Sequence, residues 1–271
     1  MLFQVYYLLS RAGTKVATAF RYAAAGLTPL SHLRNGLRER WNRFYLRPEE
    51  ISSGWTESEA AIWVSILREK AGARLLVIGS GACRDVIPLL ERAHSVTAVD
   101  PAEQATAVGL AAVAARGLTA TFLTGFIEDV QLHGVFDVVW FSWFAYGYIP
   151  ESSRRVTLLS RLRSHLVPDG RLALSYPSPP LTSRSVTIGR FMARIFRTDW
   201  QLEPGDIVDW VQGGPLLTYE HRFEPAEAER EIRDAGYDIV LHDASNQTIV
   251  ACLPRTSSIL EAPKSTNRQS C

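Results

Sequence analysis

Hydrophobic positions in the middle of this chain come as short unbroken runs separated by stretches of helical period. Leu75 to Ile78 leaves no room for a solvated face, as expected of a strand buried on both sides of a parallel sheet, and Ser95 to Val99, Leu118 to Leu123 and Phe136 to Phe141 read as further strands. Between them, Cys83 to Glu91 and Ala102 to Arg116 carry apolar residues at helical spacing. Pro88 fits the first of these only within its first turn, and Gly117 closes the second. Ser152 to Leu166 reads as a helix with Arg154, Arg155, Arg161 and Arg163 on a solvated face, and Arg171 to Tyr176 as a fifth strand. Pro225 suits the first position of a last long helix ending at Ala235. Tyr237 to Leu241 and Thr248 to Cys252 then read as a hairpin about Asp243 to Asn246. Strands alternating with helices predict an α/β fold with helices on both faces of a sheet.

The ends follow a different pattern. Residues 1–27 have helical period, with Gln4, Arg11, Thr14, Lys15, Thr18 and Arg21 on one side and Leu2, Val5, Leu9, Val16, Phe20, Ala23 and Leu27 on the other. A basic amphipathic helix of this kind can fold over its own domain as a lid, lie on an anionic membrane, or serve as a transit peptide. Leu33 to Leu46 predicts a second basic helix, with Trp41, Phe44 and Tyr45 on its apolar side. Pro48 to Gly54 links it to a helix opened by Thr56 to Glu59 in capping-box fashion, and Trp55 is placed either to cover a ligand or to pack in the core. From Pro254 the chain is polar and reads as disordered. The organisation expected is a helical extension (1–54), a main domain (55–253) with an insert at 177–217 where substrate specificity is expected to reside, and a tail (254–271).

Composition changes the picture in one respect. The chain has 271 residues, a net charge of +1 and a 46% hydrophobic content, ordinary for a globule with a substantial core. Before residue 48, however, eight basic residues face only Glu39, giving +7 there and leaving −6 for the remainder. The arm is thus a separate electrostatic object, yet the rest offers no second basic face, so nucleic acid is not an expected partner. Cys83, Cys252 and Cys271 show neither disulfide nor metal-ligand spacing, which fits a reducing, cytoplasmic location. Cys83 reads as a small buried side chain beneath a turn.

The chemistry centres on residues 74–101. Gly79-Ser80-Gly81 after the first strand lets backbone amides approach a ligand, and Asp100, ending the second strand, can accept both hydroxyls of a ribose. A pyrophosphate-binding turn would want a third glycine where Arg84 stands, which argues against a nicotinamide oxidoreductase. Phe136 to Phe141, the turn Leu166-Val167-Pro168-Asp169-Gly170-Arg171-Leu172, and Phe223-Glu224-Pro225 through Ala235-Gly236-Tyr237 follow in order. With these landmarks the stretch from about Trp55 to Leu253 resembles the class I S-adenosylmethionine-dependent methyltransferases.

That resemblance implies a seven-stranded, doubly wound, mostly parallel sheet of order 3-2-1-4-5-7-6 with an antiparallel last strand. It implies S-adenosylmethionine as cofactor, held by Gly79, Ser80, Gly81, Asp85, Asp100 and Pro101. The family's adenine-binding acid is replaced here by Phe126, leaving Phe126, Ile127 and Glu128 as candidates for that site. The loop after the fourth strand, Ser142 to Tyr148, implies contact with the methionine end through Ser142 and Trp143. For Trp143, Tyr146 and Tyr148, site and core remain alternatives. His221, Tyr146 and Tyr148 are the candidate proton acceptors, needed only for a hydroxyl or protonated amine. The implied reaction is in-line methyl transfer to a small or lipophilic organic acceptor. A membrane-associated methyltransferase of a lipid or quinone, touching the bilayer through residues 1–27, and a non-catalytic cofactor-binding scaffold are the alternatives.

Overall fold

A computed structural model describes residues 2–44, 54–55, 57–67, 72–179, 185–212 and 214–254. Tyr45, Leu46, most of the 48–54 linker, the Thr56 cap, part of the insert and nearly all of the polar tail lie outside the described residues. The central strands are β1 (Arg74–Ile78), β2 (Ser95–Asp100), β3 (Thr121–Thr124), β4 (Phe136–Phe141) and β5 (Leu166–Ser175), all paired in parallel, with β8 (Asp238–Asp243) and β9 (Thr248–Cys252) antiparallel at the far edge. A ribbon of β6 (Asp206–Trp210) and β7 (Leu217–His221) stands apart from this sheet. The sheet order is β3-β2-β1-β4-β5-β9-β8, which is the expected order once the ribbon is counted.

Unbroken apolar strands follow from burial on both faces. Along β1, Leu76 and Ile78 join one core layer while Leu75 and Val77 join the other, and β4 divides Val139 and Phe141 from Val138 and Trp140 in the same way. Helices α6 (Ser152–Leu162) and α8 (Pro225–Asp234) cover the first layer through Leu158, Leu159, Leu162, Ala228 and Ile232. The second layer is covered by α3 (Glu57–Leu67), α4 (Val86–Glu91) and α5 (Glu103–Ala114), through Ile62, Trp63, Leu89 and Val113. Each fully buried Leu or Val contributes about 1.5–3 kcal/mol. Pro88 does lie in the first turn of α4, which begins three residues later than expected because residues 81–85 form the turn. Trp55 stacks on Trp63 at 5.6 Å, on the core side of its alternatives.

Two features differ from the sequence reading, and a third fills in a segment that it left open. Pro168-Asp169-Gly170 does not precede β5 but bulges within it: between the pairs Phe136/Leu166 and Val138/Arg171, β5 advances five residues while β4 advances two. Arg155, read as solvated, is completely buried. It occupies the i position of the stripe that continues through Leu158, Leu159 and Leu162, so helical geometry places it on the core face, where Glu231 of α8 meets it at 2.7 Å. The insert, finally, has regular structure of its own: α7 (Ser185–Phe196) followed by the β6 and β7 ribbon.

That insert and the N-terminal arm form one additional layer. Helix α1 (Leu2–Leu27) lies along α7, while α2 (Leu30–Phe44) crosses β7. Tyr22, Ala25, Leu30 and Leu33 share a third hydrophobic cluster with Val186, Trp200, Leu202, Leu217 and Tyr219. Contact is intimate at Gly36, where a Cβ would stand 1.8 Å from the Leu217 carbonyl oxygen. Tyr22 also donates its hydroxyl to the Asp206 carbonyl at 2.7 Å. The arm is therefore docked on its own chain.

Candidate functional site

A pocket opens at the carboxyl ends of β1, β2 and β4, the place where open α/β sheets accept ligands. Helix α2 roofs it with Leu37 and Trp41. Its base is Gly79 and the buried Asp100, whose Oδ2 accepts the Gly81 N–H and whose Oδ1 accepts the Ala102 N–H, both at 2.8 Å. These bonds hold the glycine turn against the end of β2. Burial pushes the Asp100 carboxyl up to about 6, although both N–H donors pull the other way.

Of the predicted cofactor contacts, Gly79, Asp100, Pro101, Phe126, Ile127, Glu128, Ser142 and Trp143 all line the pocket. Ser80, Gly81 and Asp85 do not line it and act beneath it. Asp85 is buried and accepts the Trp140 indole N–H at 2.8 Å and the Ser142 hydroxyl at 2.5 Å, tying the turn to the end of β4. Cys83 is likewise buried beneath the turn, its thiol pushed up to about 12 by burial and by the charges of Asp100 and Asp85. It is no thiolate.

The roof is latched by charge. Arg34 bonds Glu128 and Asp129 at 2.8 Å each, and its guanidinium lies 4.7 Å from the centre of the Phe126 ring. Arg38 donates to the Pro101 carbonyl at 3.2 Å, and Asn42 donates to Glu103 at 3.2 Å. The carboxylate of Glu128 is thus already engaged by the arm. At the mouth, Trp41 meets Tyr148 edge to face at 5.3 Å and Trp143 at 6.0 Å, and Phe44 lies 5.8 Å from Trp143. Trp143 and Phe144 have φ of 32° and 61°, a left-handed turn that swings Trp143 out toward α2. Leu37 and Trp41 were not legible as site residues, because an apolar stripe on a basic helix reads equally as packing.

The three candidate proton acceptors separate. Tyr148 lines the pocket, with its hydroxyl 3.4 Å from Glu220, and burial together with that carboxylate holds the phenol well above its ordinary pKa. Tyr146 points into the core, donating to Glu231 at 2.6 Å and stacking on Phe223. His221 is fully buried outside the pocket, with Nδ1 2.6 Å from Asp206 and Nε2 3.3 Å from Glu227. Burial would lower its pKa, but the bonds to Asp206 and Glu227 outweigh it and leave it raised. An imidazole held between two carboxylates and lying outside the pocket accepts no proton there.

This pair has a pH signature. A histidine whose folded pKa exceeds its unfolded value of 6.5 contributes stability fully present below that value and lost as pH rises through the folded one. Urea midpoints of the wild type are expected to decline through the neutral to mildly alkaline range. His221→Gln should flatten that decline, and parallel curves for the two proteins would show that the imidazole is neutral in the fold.

The residues suit adenosine: one buried carboxylate for a diol, beside an apolar slot of Val99, Phe126 and Ile127 for a base. Comparison with known proteins agrees. Residues 75–170 match the family model described as a methyltransferase domain. No curated protein matches the chain by sequence. Among solved structures, an S-adenosylmethionine-dependent methyltransferase from Clostridium acetobutylicum is similar at 12% identity and TM-score 0.53, over 80% of this chain and 92% of that one. The CcbJ methyltransferase from Streptomyces caelestis is similar at 15% identity and TM-score 0.55, over 75% and 92%. The glycopeptide N-methyltransferase MtfA complexed with S-adenosylmethionine is similar at 20% identity and TM-score 0.52, over 75% and 96%. With the glycine turn, the buried acid and the reversed final strand all in place, the centre of the chain is a methyltransferase domain, built on the Rossmann-like fold shared by the S-adenosylmethionine-dependent methyltransferases.

Proposed function

We propose that the enzyme methylates a small or lipophilic organic acceptor by in-line displacement, the acceptor entering between α2 and the loop after β4. The observation that carries this reading is the aromatic mouth of Trp41, Trp143 and Tyr148, adjoining a pocket whose polar groups are few. Bound S-adenosylmethionine supplies a methyl group already activated on a sulfonium. Asp100 accepts the ribose hydroxyls, Val99, Phe126 and Ile127 bracket the base, and the backbone at Gly79 and Ser142 meets the amino-acid end. Trp143 and Tyr148 would exclude water and hold the acceptor in line with the methyl group, as an aligned displacement requires. Tyr148 keeps its proton and orients the acceptor by hydrogen bonding. With no free base among the described residues that line the pocket, the favoured acceptor is one nucleophilic without strong deprotonation, such as a neutral amine.

The test is calorimetric titration of the whole chain with S-adenosylhomocysteine and, separately, NADH, followed by assay of S-adenosylhomocysteine release with a panel of aromatic amines and phenols. Micromolar binding of S-adenosylhomocysteine alone is expected, with turnover of amines ahead of phenols. Turnover only of bulky polyanions such as nucleic acid would overturn the acceptor assignment.

A further inference from the structure

We propose that α1 and α7 together seat the protein on an anionic phospholipid bilayer. The two helices meet through small residues: a Cβ on Gly26 would stand 2.1 Å from the Gly189 carbonyl oxygen, and Ala25 and Ala193 are buried nearby. Packing through small side chains leaves the large apolar ones outside. On α1, Val16, Phe20 and Leu27 form one solvent-facing stripe, Phe20 being 72% exposed. On α7, Ile188, Phe191 and Ile195 follow at i, i+3 and i+7, Phe191 being 62% exposed. Neither stripe has a partner among the described residues, and adjoining stripes make a patch rather than scattered surface leucines.

Charge identifies the occupant. Neither α1 nor α7 contains an Asp or Glu. Lys15, Arg190, Arg194 and Arg197 are exposed, and none makes an ion pair among the described residues. In a second copy seated on this face, cations would oppose cations, whereas a bilayer of anionic lipid offers apolar depth and opposite charge together. No described helix is long and apolar enough to cross a membrane, so the contact is interfacial. The sequence alone pointed to residues 1–27. The structure adds α7, from the insert, and locates the face on the carboxyl half of α1.

Co-sedimentation of the full chain with vesicles tests this, using phosphatidylcholine alone and phosphatidylcholine mixed with phosphatidylglycerol. Binding to the anionic vesicles is expected at low salt, weakening as salt rises. Arg190→Gln with Arg194→Gln should lower the partition coefficient on anionic vesicles roughly thirtyfold, at about one tenfold step or slightly more per 1.4 kcal/mol of lost attraction, and barely change the neutral ones. Phe20→Ser with Phe191→Ser should abolish binding to both. None of the four residues lines the cofactor pocket, so unchanged S-adenosylhomocysteine affinity certifies the fold of each variant. A wild type that stays in the supernatant with anionic vesicles would overturn the proposal. So would a solution dimer that the phenylalanine variant dissociates, since a second copy would then cover the face. The vesicle assay needs no cofactor, so its failure is distinct from failure of the acceptor reading.

Discussion

Replacing Arg155 by alanine is expected to destabilise the fold by about 3–5 kcal/mol, enough to lower the melting temperature by roughly 10 °C in a domain of this size. Arg155 is fully buried, and its Nε and Nη2 grip both oxygens of Glu231, with contacts of 2.9 and 2.7 Å. Nη1 donates to the Ile149 carbonyl at 3.1 Å, and Nη2 reaches Glu203, which comes from the insert, at 3.2 Å. Truncation strands the Glu231 carboxylate in the core with, among the described residues, only the Tyr146 hydroxyl to solvate it. Most of the cost is that unpaired charge and not the intrinsic worth of the pair. A double variant, Arg155→Met with Glu231→Gln, removes both charges while leaving Tyr146 an acceptor, and should recover a large part of the loss. Denaturation curves of the two single variants and the double one decide the matter. If the double variant is no more stable than Arg155→Ala, packing of the guanidinium over Phe223, 4.9 Å from the ring centre, is what holds α6 to α8.

Asp100→Ala should weaken S-adenosylhomocysteine binding by roughly 10- to 150-fold, the range for losing hydrogen bonds to a charged acceptor. The ribose contact proposed for Asp100 would be lost, and so are the acceptors of the Gly81 and Ala102 N–H groups that shape the turn, so slower association should accompany the weaker affinity. A pH titration separates the two roles. Because burial raises the Asp100 pKa to about 6, the carboxylate is fully ionised only above that value. Wild-type affinity should therefore fall, by up to tenfold per unit, as pH drops below about 6, and the alanine variant should lose this dependence. Equal affinities at neutral pH would place the ribose elsewhere in the pocket.

Much of the fold lies open in the sequence because parallel strands buried on both faces have no polar alternative. Leu75 to Ile78 declares itself by lacking any polar position and Phe136 to Phe141 by having only Asp137, and Gly79, Gly81 and Asp100 follow at the offsets a nucleoside requires. Local rules also fixed Pro88 and Pro225 within first helical turns. These properties depend on residues within about 25 positions of one another, where spacing alone determines geometry.

What tertiary structure decided is where distant segments meet. Arg155 reads as solvated until α8 brings Glu231 to it, 76 residues away. His221 and Tyr146 have the right chemistry for proton transfer, yet Asp206 and Glu231 claim them inside the core, while Tyr148, two residues beyond Tyr146, reaches the pocket because a 3-10 helix over Ala145–Tyr148 turns it outward. Trp41 becomes part of the site only because α2 docks on β7, a contact that depends on Gly36 admitting the Leu217 backbone. Likewise the insert shows no motif, since α7 and the β6 and β7 ribbon acquire a core only by sharing one with α1 and α2. Strand burial and the nucleoside turn are written in short-range pattern. Which charges are paired, which aromatics face the ligand and which apolar stripes remain uncovered depend on long-range packing, and no local period encodes it.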